Sequence, residues 1–307
     1  MLSCQQADDD SPPQLSVIVP CYNSEATIRL CLDAILSQKT SVVFDVTVVD
    51  SSLDHTGEIV RLEYPQVRLI HLNTRTFAGA ARNVGVRATR GCYCMMIDSD
   101  CIASPDLVQG VVGRLRERSL AAVGGAICNG TPGSWSGLLC YLLEFKEFLP
   151  TSPERTVIGM ATANITYRRN LFEAMGGFDE SMWLAEDILF NWKLTRAGHT
   201  ILFDPGARVT HLNRTGWRNV LGYQYSMGRM SAIARRKGAL PGNSLLRYPA
   251  LVGLAPFGRV ARAAAWLFKT DRHLLLQFLA ISPIYFIASS IWSAGFFVEA
   301  ANQIADS

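Results

Sequence analysis

The sequence lacks the two glycine-rich motifs with which many α/β proteins hold nucleotide phosphates. No Gly-x-Gly-x-x-Gly follows an apolar run, and no Gly-x-x-x-x-Gly-Lys-Ser/Thr is present. The first absence disfavours a dinucleotide-binding dehydrogenase, and the second disfavours a P-loop enzyme. The eight cysteines lack zinc-site spacing and sit mostly inside apolar runs, so we expect small buried thiols.

Acidic residues are nearly absent from one part of the chain. Residues 205–273 contain twelve Lys or Arg and a single acid, Asp271, although the net charge of the whole chain is only +3. A basic segment of this kind fits anionic lipid headgroups, and part of it suits a diphosphate. Nucleic acid is not an expected partner, because no helix-turn-helix, zinc-finger or RNP pattern accompanies the charge.

Charge of either sign is missing from residues 274–298. An apolar run of this length crosses a bilayer with some tilt. Because serines and one proline dilute it, a kinked span, a re-entrant hairpin and an interfacial segment all stay open, with a buried core helix less favoured. The first residues have neither a basic nor a long apolar region, so no signal peptide is predicted. We therefore expect a protein of the cell membrane whose catalytic part is cytoplasmic.

Apolar strand patterns alternate with helical patterns over residues 15–97. This βαβαβαβ order predicts a mostly parallel, doubly wound sheet with right-handed crossovers. Ser24 is the expected N-cap of the first helix. Two of the strands end at an aspartate, Asp50 and Asp98. Because parallel strands present their carboxyl ends on one edge, both acids are expected in the same crevice.

Asp98-Ser99-Asp100 follows the fourth strand directly. Two carboxylates separated by one small residue can both reach a single divalent cation. Mg²⁺ and Mn²⁺ take oxygen ligands and are often shared between carboxylates and a substrate diphosphate. Asp-x-Asp also occurs in ordinary polar turns, but the shared edge with Asp50 favours the metal site.

The second half of the sequence is less regular. Acids at the start of one predicted helix, Glu186-Asp187, lie where the helix dipole favours carboxylates. The patterns predict strands over 121–127, 201–203 and 208–211, helices over 135–148, 170–175, 184–197 and 217–237, and an amphipathic segment over 260–268.

Several motifs, taken in order, carry a family resemblance from about residue 15 to residue 236. They are Pro20-Cys21-Tyr22-Asn23, Asp50-Ser51-Ser52-Leu53-Asp54, Arg82-Asn83-Val84-Gly85, Asp98-Ser99-Asp100, and Gly176-Gly177-Phe178-Asp179-Glu180 followed by Glu186-Asp187. Together they resemble glycosyltransferase family 2, inverting transferases that use nucleotide sugars. The resemblance implies the GT-A fold, a Rossmann-like, mostly parallel sheet with helices on both faces, here followed by C-terminal membrane-associated helices.

The resemblance implies roles in binding the donor. Pro20, Tyr22 and Glu25 would line the pocket for the base and ribose. Asp50 would hydrogen-bond the nucleobase or the ribose. Arg82 would flank the nucleotide.

The resemblance also implies a metal site and a base. Asp98 would sit by the ribose and near the metal, and Asp100 would bind the Mg²⁺ or Mn²⁺ that bridges the diphosphate. His211 lies where many relatives place a histidine near the metal or diphosphate, although a lone histidine at a strand end is often structural. Asp187 would be the general base, with Glu186 beside it.

The expected reaction follows from these roles. One sugar would pass from a UDP- or GDP-linked donor to a hydroxyl of a lipid-linked or polysaccharide acceptor at the cytoplasmic membrane face, as in a hexosyltransferase. The stretch 224–228 lacks the tryptophan of the Gln-x-x-Arg-Trp motif of processive synthases, which favours single transfer. A sugar-nucleotide nucleotidyltransferase and a non-catalytic membrane-bound scaffold are the alternatives.

The same reasoning divides the chain into four parts. We expect a disordered polar tail over 1–13 and a nucleotide-sugar-binding half over 14–118. An acceptor-binding, catalytic half of the same domain would cover 119–237. A basic amphipathic segment and a hydrophobic membrane helix would occupy 238–307.

Overall fold

The computed structural model describes residues 13–117 and 119–305, so nearly all of the predicted tail lies outside the described residues. In the described part, nine strands form one sheet: β1 Leu15–Cys21, β2 Phe44–Asp50, β3 Arg68–His71, β4 Tyr93–Ile97, β5 Cys101–Ala103, β6 Ala122–Asn129, β7 Arg155–Val157, β8 Asn164–Arg168 and β9 Ile201–His211. The helices are α1 Ile28–Leu36, α2 Thr56–Glu63, α3 Ala78–Ala88, α4 Leu107–Glu117, α5 Trp135–Phe145, α6 Arg169–Ala174, α7 Glu186–Arg196, α8 Trp217–Gly238, α9 Ser244–Arg247, α10 Ala255–Thr270 and α11 Arg272–Ala305, with a 3-10 helix at Pro249–Leu254.

The sheet order is β3-β2-β1-β4-β8-β6-β9-β5, with β7 paired to β9. The first four strands are parallel, as their alternation with helices predicts. Beyond β4 the sheet is mixed, because β8 runs antiparallel to both β4 and β6. The two predicted strands at 201–203 and 208–211 form one long strand, β9. Its register against β6 shifts between Gly125 and Ala126, and this bulge accommodates Pro205, Gly206 and Ala207 within β9.

Helices cover both faces of the sheet. Along β1, Val17 and Val19 belong to the larger hydrophobic cluster, whereas Ile18 belongs to a second cluster on the opposite face. This alternation follows from the period of two in a strand. Both predicted features of the fold, a central sheet and helices on both faces, are therefore confirmed.

The prediction that Ser24 caps the first helix is wrong. Helix α1 begins at Ile28, and its N-cap, Thr27, makes no side-chain capping bond. The Ser24 hydroxyl instead forms a 2.8 Å hydrogen bond with the hydroxyl of Ser99. The turn after β1 is thus tied to the Asp98-Ser99-Asp100 turn, and this contact takes the side chain that a cap would need.

The C-terminal helices are long and apolar. By length and composition, Pro249–Thr270 and Arg272–Asn302 each suffice to cross a membrane. Helix α11 is also packed on the rest of the protein, since Phe278 and Tyr285 are buried in the larger hydrophobic cluster. Further along, Trp292 and Phe296 are buried in a cluster with Ala232 of α8.

Candidate active site

The carboxyl edge of the parallel strands gathers the predicted acids. Strand β1 lies between β2 and β4, and its last residue, Cys21, pairs with Asp50 at the end of β2. Asp98 directly follows β4 on the other side of β1. The sheet therefore brings the ends of the two aspartate-bearing strands to one edge, with a single strand between them.

A buried guanidinium joins two of the acids. Arg82 on α3 donates hydrogen bonds from Nη2 to Asp98 and from Nη1 to Glu186 Oε1, the latter at 2.8 Å. Burial lowers the pKa of Arg82, but the charges of Asp98 and Glu186 outweigh it and raise the pKa above its ordinary value. Its Nε has no hydrogen-bond partner among the described residues. Arg82 is thus a charged bridge between the acid after β4 and the acid that begins α7.

A glycine makes this bridge possible. Gly79 lies three residues before Arg82 on the same helix, and a Cβ atom built there would be 2.7 Å from Cγ of Glu186. Side-chain carbons do not approach so closely in packed proteins, so any larger residue would push Glu186 away from Arg82. The family-like motif around Arg82 therefore extends to a glycine whose role is close approach.

The neighbouring Asn83 fixes the loop before α7. Its Oδ1 accepts the Phe178 backbone N–H at 3.0 Å, and its Nδ2 donates to the Phe178 carbonyl at 2.9 Å and to Glu180 at 3.0 Å. Consecutive side chains of α3 therefore hold two segments, the loop at 178–180 and the start of α7.

Two consecutive carboxylates begin α7 in different environments. The residue before them, Ala185, has a φ of 64°, a left-handed conformation that is uncommon for a residue with a Cβ atom. Glu186 is buried against Arg82, whereas Asp187 is partly exposed and accepts the Ile188 backbone N–H at 2.7 Å. Burial and the charge of Glu186 raise the pKa of Asp187 to about 7. A carboxylate poised near neutral pH suits a general base.

Asp100, Cys101 and His211 form a cluster of potential metal ligands. Their ligand atoms all lie within 4.8 Å of one another, and Asp100 Oδ1 is 3.4 Å from His211 Nε2. The sheet register explains the cluster, because Cys101 on β5 pairs with His211 on β9. No sequence pattern predicts β5, a strand of only three residues.

The chemistry of this cluster fits a divalent cation. Burial raises the pKa of Asp100, the contact with His211 lowers it, and the charge of Asp98 raises it, so that the pKa lies above its ordinary value. A cation at this position would offset the repulsion between the carboxylates of Asp98 and Asp100. Carboxylate oxygens suit Mg²⁺ and Mn²⁺, and an imidazole nitrogen is an acceptable additional ligand for Mn²⁺. Burial raises the pKa of the Cys101 thiol well above its usual value, which makes it the weaker ligand.

Three polar residues behind His211 set its tautomer. Asn129 Oδ1 accepts the Thr131 backbone N–H at 3.0 Å, which identifies that atom as an oxygen. Asn213 Nδ2 donates to this oxygen at 2.8 Å, so Asn213 Oδ1 must face His211 Nδ1, 3.1 Å away. His211 therefore donates from Nδ1, and in the neutral imidazole the lone pair is on Nε2, which faces Asp100. No sequence pattern predicts this chain of contacts, because it joins the ends of two strands, β6 and β9, that are distant in sequence.

The remaining predicted donor residues surround the ends of β1 and β2. Pro20 pairs with Val49 in the sheet, and Glu25 accepts the His55 backbone N–H at 3.3 Å. The ring of Tyr22 lies 4.5 Å below the guanidinium of Arg75.

Asp50 is fully buried, with both carboxylate oxygens engaged. Oδ1 accepts the Ser52 backbone N–H at 3.1 Å, and Oδ2 lies 2.9 Å from His71 Nδ1. His71 ends the adjacent parallel strand β3, and its side chain is half exposed. No motif in the sequence points to His71. A direct role of Asp50 in binding a nucleobase stays a prediction.

Comparison with known proteins identifies the family. The sequence model of glycosyl transferase family 2 matches residues 16–176, just over half of the chain. The uncharacterized glycosyltransferase EpsJ of Bacillus subtilis is 29% identical over 215 residues, which cover 66% of this chain and 62% of EpsJ. The succinoglycan biosynthesis protein ExoO of Rhizobium meliloti is 29% identical over 222 residues, covering 67% of this chain and 63% of ExoO. The matches thus cover somewhat less than two thirds of these relatives.

Solved structures share the fold. The mannosyltransferase PcManGT from Pyrobaculum calidifontis, in complex with GDP-Man and Mn²⁺, has a TM-score of 0.62 at 20% identity, covering 97% of this chain and 90% of its own. TarS 1-349 of S. aureus, in complex with UDP-GlcNAc, has a TM-score of 0.55 at 19% identity, covering 95% and 92%. At these identities the likeness establishes the fold alone.

Proposed function

Because the chain belongs to glycosyl transferase family 2 and has the GT-A fold, we propose that it moves one sugar from a UDP- or GDP-linked donor to an acceptor hydroxyl. The observation that carries this proposal is the Arg82 bridge, which links Asp98 to Glu186 across one buried guanidinium. Asp98 borders the metal cluster, and Glu186 adjoins the base candidate Asp187. The bridge therefore connects the base, which would assist formation of the bond to the acceptor, with the metal cluster, which would assist cleavage of the bond to the diphosphate.

Asp187 is the proposed general base. A sugar or lipid hydroxyl is a poor nucleophile, so a carboxylate must take its proton as the new bond forms. Asp187 has the exposure and the raised pKa for this task, while Glu186 stays in its ion pair with Arg82. Attack from the side opposite the leaving group inverts the anomeric centre, as in inverting glycosidases.

Asp100, Asp98 and His211 are the proposed metal-binding residues. A bound Mg²⁺ or Mn²⁺ would supply positive charge to the leaving diphosphate. The Asn213 contact supports His211 in this role, because it engages Nδ1 and leaves Nε2 to face Asp100.

The donor's base and ribose are proposed to lie over the ends of β1 and β2. Pro20, Tyr22 and Glu25 would line this pocket, with Asp50 behind it. Tyr22 already stacks under Arg75, and Asp50 is already bound to His71. The nucleotide would therefore bind to side chains that are already held in place, which lowers the entropic cost of binding.

The proposed acceptor is a lipid-linked or polysaccharide hydroxyl at the cytoplasmic membrane face. The two long apolar helices and the basic segment before them support contact with a membrane. A test is incubation with a panel of nucleotide sugars, Mn²⁺ and membrane lipid extract, followed by product mass. A product heavier by one sugar supports the proposal. Formation of a sugar nucleotide would indicate a nucleotidyltransferase, and neither transfer nor donor hydrolysis with any donor would indicate a scaffold.

Replacing Asn213 with alanine is expected to weaken Mn²⁺ binding by about 10- to 100-fold, the usual cost of losing an outer contact to a metal-binding histidine. Without Asn213, the imidazole of His211 is free to carry its proton on Nε2. Electron paramagnetic resonance of unbound Mn²⁺ measures the affinity, and the imidazole ¹⁵N shifts of the metal-free protein report the tautomer. Asn219→Ala, which removes an exposed asparagine from α8, is the control. Unchanged affinity and tautomer in Asn213→Ala would remove Asn213 from this role.

The transfer rate is expected to rise with pH and level off above about pH 7. The pKa of Asp187 is raised to about 7, so the carboxyl is protonated and inactive as a base below that value. The logarithm of kcat/KM should therefore increase with a slope of one on the acidic side. A rate that is constant from about pH 5 to pH 8 would contradict this assignment.

A further inference from the structure

Helix α11 exposes an uncharged stripe. Between positions 276 and 298, all exposed residues are apolar and recur mostly at three- or four-residue intervals: Leu276, Leu279, Ala280, Pro283, Ile287, Ala294, Phe297 and Val298. The stripe is about 33 Å long at the rise of an α-helix. Leu276 and Leu279 are 68% and 52% exposed. An exposed apolar patch of this extent marks an interaction surface.

The opposite face of α11 is attached to the catalytic domain along the helix. Near its start, Phe278 and Tyr285 are buried in the larger hydrophobic cluster. Near its end, a Cβ atom built on Gly295 would lie 2.1 Å from the Tyr225 carbonyl oxygen of α8, so the two backbones touch. Beyond that contact, Glu299 accepts hydrogen bonds from Arg229 of α8 at 2.9 and 3.1 Å.

This attachment excludes a transmembrane course for α11 in the observed packing. Helix α8 runs against α11 and carries Arg229, Arg235, Arg236 and Lys237. If α11 spanned a bilayer, these charges would be carried with it into or beside the hydrocarbon, where each is costly. A helix that lies in the plane of the membrane surface instead keeps α8 in water and places only the stripe in lipid.

Helix α10 extends the same kind of surface. Phe257 and Phe268 are 63% and 57% exposed, and Arg262 and Lys269 are exposed on the same helix. The ring of Phe257 packs edge-on against Phe286 of α11, with centroids 4.9 Å apart, so the two helices lie side by side. Apolar residues interspersed with basic ones are typical of helices that lie at a lipid interface.

We propose that the exposed residues of α10 and α11, the α10–α11 surface, bind an anionic bilayer in its plane without crossing it. This inference rests on the membrane contact in the proposed function and specifies its geometry. A second copy of the chain is a poorer occupant, because a twofold contact would place this basic surface against an identical basic surface. The basic residues are instead complementary to anionic headgroups, and each contributes on the order of fivefold in binding.

Vesicle flotation tests the surface. We expect the full chain to float with vesicles of phosphatidylcholine and phosphatidylglycerol, and less with phosphatidylcholine alone. Leu276→Asn, Leu279→Asn and Ile287→Asn in one variant should lower binding on the order of a hundredfold or more. Donor hydrolysis in solution, measured on the same variant, reports folding and the transfer site independently. A wild-type chain that floats with vesicles but hydrolyses no donor would count against the proposed reaction and not against this surface.

A matched variant controls for the loss of exposed aliphatic groups. Leu30→Asn, Leu62→Asn and Ile158→Asn also replace three exposed aliphatic residues, all outside α10 and α11. This control should float like the wild type. Equal loss of flotation in both variants, or conversion from a stable dimer to a monomer in the Leu276-Leu279-Ile287 variant, would overturn the proposal.

Labelling with an impermeant maleimide tests the in-plane course. His273→Cys and Asn302→Cys change exposed residues at opposite ends of α11. Both variants should react at the new position from the same side of sealed membrane vesicles as the exposed Cys92 of the catalytic domain. Reaction of either introduced cysteine only from the opposite side would show a span and overturn the proposal.

Discussion

Asp187→Asn is expected to bind the donor nearly as well as the wild type and to transfer sugar about 10²- to 10⁴-fold more slowly, the usual contribution of a general base. The amide has the size of the carboxylate and can still accept the Ile188 backbone N–H through its oxygen. It cannot take a proton from the acceptor. The loss should therefore appear in the chemical step and not in donor affinity.

The measurement separates these two quantities. Calorimetry gives the dissociation constant of the donor, and single-turnover transfer gives the rate of the chemical step. Glu173→Gln, which changes an exposed acid paired with Arg169 on α6, controls for the removal of a negative charge. Near-wild-type turnover in Asp187→Asn would exclude Asp187 as the base and direct attention to Glu186.

Asp100→Asn is expected to have the second large effect, a loss on the order of 10²- to 10³-fold in transfer, with a parallel loss of Mn²⁺ affinity. The carboxylate is 38% exposed and lies 3.4 Å from His211 Nε2, so its replacement should leave the fold intact. Asp98 is less suitable for this test, because its removal would also break the Arg82 bridge.

Metal titration and thermal unfolding together decide the outcome for Asp100. We expect weaker Mn²⁺ binding with little change in the unfolding temperature, and partial recovery of transfer at high Mn²⁺. Asp106→Asn, at an exposed acid just after β5, is the control and should behave as the wild type. Full activity of Asp100→Asn after treatment with a chelator would show that transfer does not depend on a cation at this position.

Part of the site is predictable because it depends on the order of strands. Asp50 ends β2 and Asp98 directly follows β4, and the parallel strands of this half share one carboxyl edge. The position of Asp187 at the start of a helix is likewise readable from its local pattern. Short strands escape this reasoning, since three residues such as Cys101–Ala103 carry no periodicity.

Other parts of the site depend on contacts between distant segments. His71 reaches Asp50 because β3 pairs with β2. Asn213 reaches Asn129 because β6 and β9 end at the same level. Gly79 has a role only because Glu186 packs against it, a contact between residues more than a hundred positions apart.

The sequence by itself determined the family, the alternation of strands and helices, and the identity of the acids at the sheet edge. These follow from local periodicity and from motifs of a few residues. Only the tertiary structure decided that Arg82 bridges two acids, that His211 presents Nε2 toward Asp100, and that α11 lies along the catalytic domain. The physical reason is that each depends on pairwise contacts across the fold, whose partners are set by packing and sheet register rather than by neighbouring residues.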